Sequence, residues 1–270
     1  MQEQNRVKAI LLIISLFFAT AAIALFVPPI AQSLGYHNFA DTTTLCGVPN
    51  FWNVASNASF LVAGVAGLIF MLQENVRKSG RTFIDSAEWW PYFAFFVGVT
   101  ATAFGSAYYH WAPDNNTLLW DRLPLGIMFM GLFAAVIAER IAVDAGRYLT
   151  LPLVLFGAST VVNWTVTEHL GLGDLRLYAV VQFFPIVCVP VILRSFPARY
   201  TRANDLLVSI GWYALAKVFE TFDLSVYTAI GISGHTIKHV LCGVSAYWIV
   251  RMLRQRQPLP ALASTDSSPS

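Results

Sequence analysis

The chain has 270 residues, 56% of them hydrophobic and only 12% charged, with a mean hydropathy of +0.59, outside the usual range of a soluble globular domain. A net charge of +2, with lysines and arginines spread along the chain rather than gathered in a stripe, gives no electrostatic footprint for nucleic acid. Cys46, Cys188 and Cys242 form no CxxC pair, so neither a disulfide framework nor a thiolate metal site is indicated.

Crossing roughly 30 Å of hydrocarbon as helix takes about 20 apolar residues. Eight stretches qualify in chain order: 9–29, 51–72, 90–111, 118–138, 148–166, 176–193, 205–222 and 235–250. The expected fold is therefore all-α, a polytopic membrane protein. With the amino terminus cytoplasmic, 13 of the 17 lysines and arginines fall inside, from Arg6 and Lys8 through Arg140 and Arg147 to Arg251, Arg254 and Arg256. Arg122, Lys217 and Lys238 fall within spans, and only Arg176 lies at an outer edge, the asymmetry of the positive-inside rule. Both termini are then expected in the cytoplasm. Small residues after the first apolar run, such as Ala19 and Ala24, leave open a cleaved signal peptide. Residues 1–30 read as an N-terminal hydrophobic helix, 31–255 as one membrane domain, and 256–270, rich in Pro and Ser, as a disordered cytoplasmic tail.

An ionisable side chain inside a span costs a few kcal/mol, so it faces the bundle interior and has a partner or a function. Ser106 and His110 are four apart near the outer end of the third span and share a helix face. Asp121 lies one turn into the fourth span, and the short connection from Pro113 to Thr117 sets it at the depth of His110. His235 and His239 are again four apart at the outer start of the last span, the spacing at which one helix offers two imidazoles to one metal ion. Three neutral imidazoles with one open position is the arrangement of a catalytic zinc, whose chemistry is to lower the pKa of a water towards about 7. Asp121 is then placed to accept a proton and Ser106 to hydrogen-bond the water or an oxyanion. Arg122 points away from Asp121, its neighbour in the helix. Lys217, Glu220 and Lys238 read as ties within the bundle, while His37, Glu168 and His169 read as loop residues in solvent. A zinc that only staples helices in a receptor-like or structural protein uses the same ligands. An ion pathway needs a polar trail through the bilayer, which is absent from the sequence.

The segments NFWNVASNASFLVAGVAGL (50–68), GSAYYHWAPDNNTLLWDRLP (105–124), AKVFETFD (216–223) and GHTIKHV (234–240) resemble the bacterial branch of the alkaline ceramidase family, within the superfamily of membrane hydrolases that includes the adiponectin receptors. The resemblance covers about 40–255 and implies a seven-helix core, to which this chain adds the segment 9–29. It implies zinc on His110, His235 and His239, with Ser106 and Asp121 completing the site, and hydrolysis of the N-acyl bond of ceramide or a ceramide-like membrane lipid. Another lipid ester or amide is the alternative substrate. Animal members also carry a calcium site in the acidic segment before the first core helix. Here Asp41, Asn50 and Asn53 are the candidate calcium ligands, fewer acidic groups than a hard cation draws on.

Overall fold

A computed structural model of the chain describes residues 2–78 and 80–260, all of it helix, turn and loop apart from two isolated backbone bridges. The helices in order are α1 (Gln2–Phe26), α2 (Phe51–Ala55), α3 (Ala58–Met71), α4 (Glu74–Lys78), α5 (Trp89–Trp111), α6 (Asn115–Arg140), α7 (Val143–His169), α8 (Arg176–Ser195), α9 (Asp205–Thr221), α10 (Asp223–Ile230) and α11 (Gly234–Gln255). Each of the eight expected apolar stretches is mostly helical, but the second is broken by a turn at Ser56–Asn57 into α2 and α3, and the short α4 and α10 were not expected. Phe51–Met71, Asn115–Arg140, Val143–His169 and Arg176–Ser195 are long and apolar enough to cross a membrane by length and composition. Outward side chains such as Val62, Leu151, Leu155 and Val187 are apolar and exposed. A bilayer solvates such a surface where water does not.

Helices α5, α6 and α7 pack in sequence as antiparallel neighbours, α3 lies against α5, and α11 joins α3 to α9. Helix α8 packs on α6, α7 and α1. Helices α8 and α9 make little direct contact; Gln182 of α8 donates to the Tyr213 hydroxyl of α9 at 2.6 Å across the space between them. The main core is aromatic and aliphatic, built on residues such as Tyr92, Phe96, Val99, Val136, Ile192 and Ile249. Its close packing rests on glycine at the helix crossings. At Gly105 a Cβ would stand 2.0 Å from the Trp120 carbonyl oxygen, so only glycine lets α5 approach α6 there. That approach is what sets Ser106 beside Asp121.

Helix α6 begins where its capping box directs. The Asp114 carboxylate accepts from the Thr117 amide at 2.6 Å, and the Thr117 hydroxyl interacts back with the Asp114 amide at 3.1 Å. The opposite end of the bundle, about 27 Å from Asp121 along α6, holds a buried polar network. Arg256 pairs with Glu139 and donates to the Thr82 carbonyl at 2.8 Å, Tyr92 donates to Glu139 at 3.0 Å, and Arg199 and Tyr200 both engage Glu88. The start of the expected disordered tail belongs to this network. Arg256 is buried, and residues 257 and 259 hydrogen-bond the backbone at Thr201 and Arg199. Residues 261–270 of that tail, and the side chains of Arg6 and Lys78, lie outside the described part.

Candidate metal centre

Three helix segments deliver the site. Helix α5 carries Ser106 and His110 near its C-terminus, α6 carries Asp121 in its second turn, and α11 carries His235 and His239 in its first two turns. Ser233 caps α11 through the Thr236 amide at 3.0 Å, which starts the helix one residue before its first histidine. Gly234 lets that start lie against α9: a Cβ there would meet the Phe219 carbonyl oxygen at 2.2 Å.

The imidazoles of His110, His235 and His239 converge. Their ring centroids are 4.7–4.8 Å apart, and their ligating nitrogens all lie within 4.8 Å of one another. They are 1%, 3% and 0% exposed. Both ring nitrogens of His110, Nε2 of His235 and Nε2 of His239 are buried without a hydrogen-bond partner. Four buried, unpaired imidazole nitrogens cost several kcal/mol unless something binds them. A metal ion does that for one nitrogen of each ring, and an all-imidazole donor set suits zinc. The three rings therefore fit a metal centre, as spacing alone indicated.

The surrounding groups fix each ligand. The Ser56 hydroxyl lies 2.9 Å from His239 Nδ1, leaving Nε2 as the ligating atom. Ser59 donates to the His239 carbonyl at 2.8 Å, Asn50 to the His110 carbonyl at 2.9 Å, and the His235 amide donates to Asp223 at 2.9 Å. The other Asp223 oxygen accepts from the Ala40 amide at 2.9 Å, pinning the 27–41 loop over the centre. From that loop Phe39 covers the ligands, its ring 4.6 Å from His110 and 4.5 Å from His235.

Below the centre runs a cavity of about 320 Å³. Ser106, Asp121 and His239 line one end; the Ser106 side chain interacts with the Asp121 carboxylate there. Leu206 and Glu220 both line it, so it extends about 21 Å along α9. Phe95, Met128, Phe133, Phe183 and Val189 make most of the wall apolar. The cavity lies against the seam where α8 and α9 barely meet, since residues of both helices line it.

Lys217, Glu220 and Lys238 do tie α9 to α11, Lys217 pairing with Glu220 and Lys238 standing 3.6 Å from it. All three also line the cavity, so the ties are part of its polar end, which spacing did not reveal. His37 and Glu168 are not simply solvated. His37 lies 2.9 Å from both the Tyr109 hydroxyl and Asn115, while Glu168 accepts from Asn115 at 3.2 Å and from the Gln32 amide at 3.4 Å. Nothing in the local sequence marks these contacts, because they bridge segments more than fifty residues apart.

The candidate calcium ligands have other work. Asp41, 1% exposed, accepts from the Thr43 amide at 3.1 Å and the Asn53 amide at 2.9 Å. Asn53 Oδ1 accepts from Ser233 at 3.0 Å and Thr236 at 2.8 Å, and Asn50 holds His110. One carboxylate whose two oxygens both receive amide protons, with two amides already engaged, does not fit the six to eight oxygens a calcium ion takes. These residues instead fasten α2 to α5 and α11. No protein-family model matches the chain, and no curated protein matches its sequence.

Proposed function

We propose that the chain is a zinc-dependent membrane amide hydrolase of the alkaline ceramidase kind, cleaving the N-acyl bond of ceramide or a ceramide-like lipid. The observation that carries this reading is one arrangement: three buried imidazoles with unpartnered nitrogens beside Asp121 and Ser106, at the polar end of a long apolar cavity. His110, His235 and His239 would hold the metal, which when bound supplies a Lewis acid and a water of lowered pKa.

The chain's own residues do the rest. The apolar wall takes the acyl chain, and the α8–α9 seam offers it a lateral way in from the bilayer. Phe39 keeps bulk water off the ligands, which strengthens every charge interaction inside. The Asp121 carboxylate takes the proton from the attacking water and returns it to the leaving amine. The Ser106 hydroxyl donates a hydrogen bond to the oxyanion that forms from the amide carbonyl. The products are a fatty acid and an amine-bearing base.

The metal group has three protein ligands among the described residues, which supports an open position for water rather than a closed helix staple. The test is metal analysis with hydrolysis assays on a panel of N-acyl and O-acyl lipids. His235→Ala and His239→Ala lose both zinc and activity, while Asp121→Asn keeps zinc and loses most activity. Full hydrolysis by a zinc-free His235→Ala protein, or stoichiometric zinc with no lipid turned over, overturns the reading. The charge asymmetry of the loops supports a site toward the non-cytoplasmic side.

A further inference from the structure

The cavity contains a cation that the hydrolytic reading does not use. Three cations line it, Arg122, Lys217 and Lys238, against two carboxylates, Asp121 and Glu220. Both lysines face Glu220, and Asp121 lies within electrostatic reach of Lys238 and, more weakly, of Arg122. Arg122 is the one that neither carboxylate pairs with directly. It is 6% exposed and takes part in none of the ion pairs of the described residues. Its Nη2 donates to the neutral Gln32 side chain at 2.6 Å, and its Nη1 is buried with no hydrogen-bond partner.

The setting is built around the guanidinium. Its Cζ lies 4.5 Å from the Trp164 ring, 5.1 Å from Tyr178 and 5.5 Å from Tyr36. Rings hold a cation in place but do not neutralise it. A permanently charged side chain inside an apolar bundle, with no directly paired counter-ion and a donor to spare, is matched to an anion. Arg122 follows Asp121 in sequence and lines the same cavity, and Tyr36 and Tyr178 of its cage line it too. An anion reaching Arg122 is therefore the head of a molecule whose chain lies down the cavity.

We infer that Arg122 is a carboxylate-recognition site, and that the cavity takes a long-chain amphiphile with an acidic head. The carboxylate has two sources, a free fatty acid or an acidic amine half such as that of an N-acyl amino acid. This holds whether or not the chain hydrolyses amides, because binding is read without turnover.

The experiment measures binding of palmitate, hexadecyloxyacetate (an ether analogue of an N-acylglycine, with no amide to cleave) and hexadecanol to purified zinc-loaded protein in neutral detergent. At least one acid binds more tightly than the alcohol, and which acid does so identifies the source. Arg122→Gln weakens the preferred acid about 10- to 100-fold, as expected for a hydrogen bond to a charged group, and leaves hexadecanol unchanged. Gln32→Glu supplies an internal carboxylate beside the guanidinium while keeping the cation in its cage, and it too removes the preference. Zinc content and Tm are measured for each variant. Equal binding of acids and alcohol by the native chain overturns the inference. So does an acid preference that survives in folded, zinc-loaded Gln32→Glu or Arg122→Gln protein, for then the acid is held elsewhere.

Discussion

Replacing Gly105 by alanine tests the idea that close approach of α5 to α6 builds the site. The new Cβ would lie 2.0 Å from the Trp120 carbonyl oxygen and 2.8 Å from its carbon, against the 3.4 Å at which ordinary contact begins. Both obstacles are backbone, so no side chain can rotate away, and relief needs the helices to part by about 1.4 Å. Overpacking of this kind costs about 1–3 kcal/mol, which for a chain of this size lowers Tm by roughly 2–10 °C. The opening lies beside Ser106 and Asp121, and a shift of about 1 Å in a reacting geometry costs on the order of a hundredfold in rate. Thermal unfolding in detergent and lipid hydrolysis are measured on the same preparation, with zinc content followed because His110 moves with α5. Gly211→Ala is the control: nothing lies within 4 Å of its Cβ, and alanine in the middle of α9 is neutral or stabilising by about 0.5–1 kcal/mol. A Gly105→Ala protein with native Tm and native activity would refute the reasoning.

Ser56→Ala removes the partner of His239 Nδ1 and lowers zinc affinity about 10- to 100-fold, read by competition with a chelator, with Tm of the zinc-free protein little changed. Arg256→Ala leaves Glu139 buried without its cation and destabilises by about 3–5 kcal/mol; because this network stands at the far end of α6, zinc content at native temperature is unaffected. Asp114→Ala removes the α6 cap and costs about 1 kcal/mol at neutral pH. The Asp114 carboxyl is held below its usual range, chiefly by the Thr117 amide. A depressed folded-state pKa stabilises above the unfolded value and is lost as pH falls through the folded one. The Tm gap between native and Asp114→Ala protein therefore narrows on acidification, and a gap that widens contradicts the cap.

Hydrophobic run length located the apolar helical stretches, though not the turn that splits 51–72 into α2 and α3, because the apolar character of a helix is decided within one segment. The i, i+4 spacing of Ser106 with His110 and of His235 with His239 likewise fixed which side chains share a face, since helical geometry is local. Those two facts were enough to nominate the metal ligands. The sequence was silent wherever two distant segments meet. Phe39 over the imidazoles, His37 on Tyr109, and Gln32 on Arg122 all come from a loop whose path depends on Asp223, some 180 residues away in the chain. Asp41, Asn50 and Asn53 carried the residue types of a cation site, but backbone amides and hydroxyls had already claimed the oxygens of Asp41 and Asn53, and Asn50 donates to the His110 carbonyl. Residue type and spacing set what each side chain is able to do; only the packing of helices against one another decided which lone pairs were left free to do it.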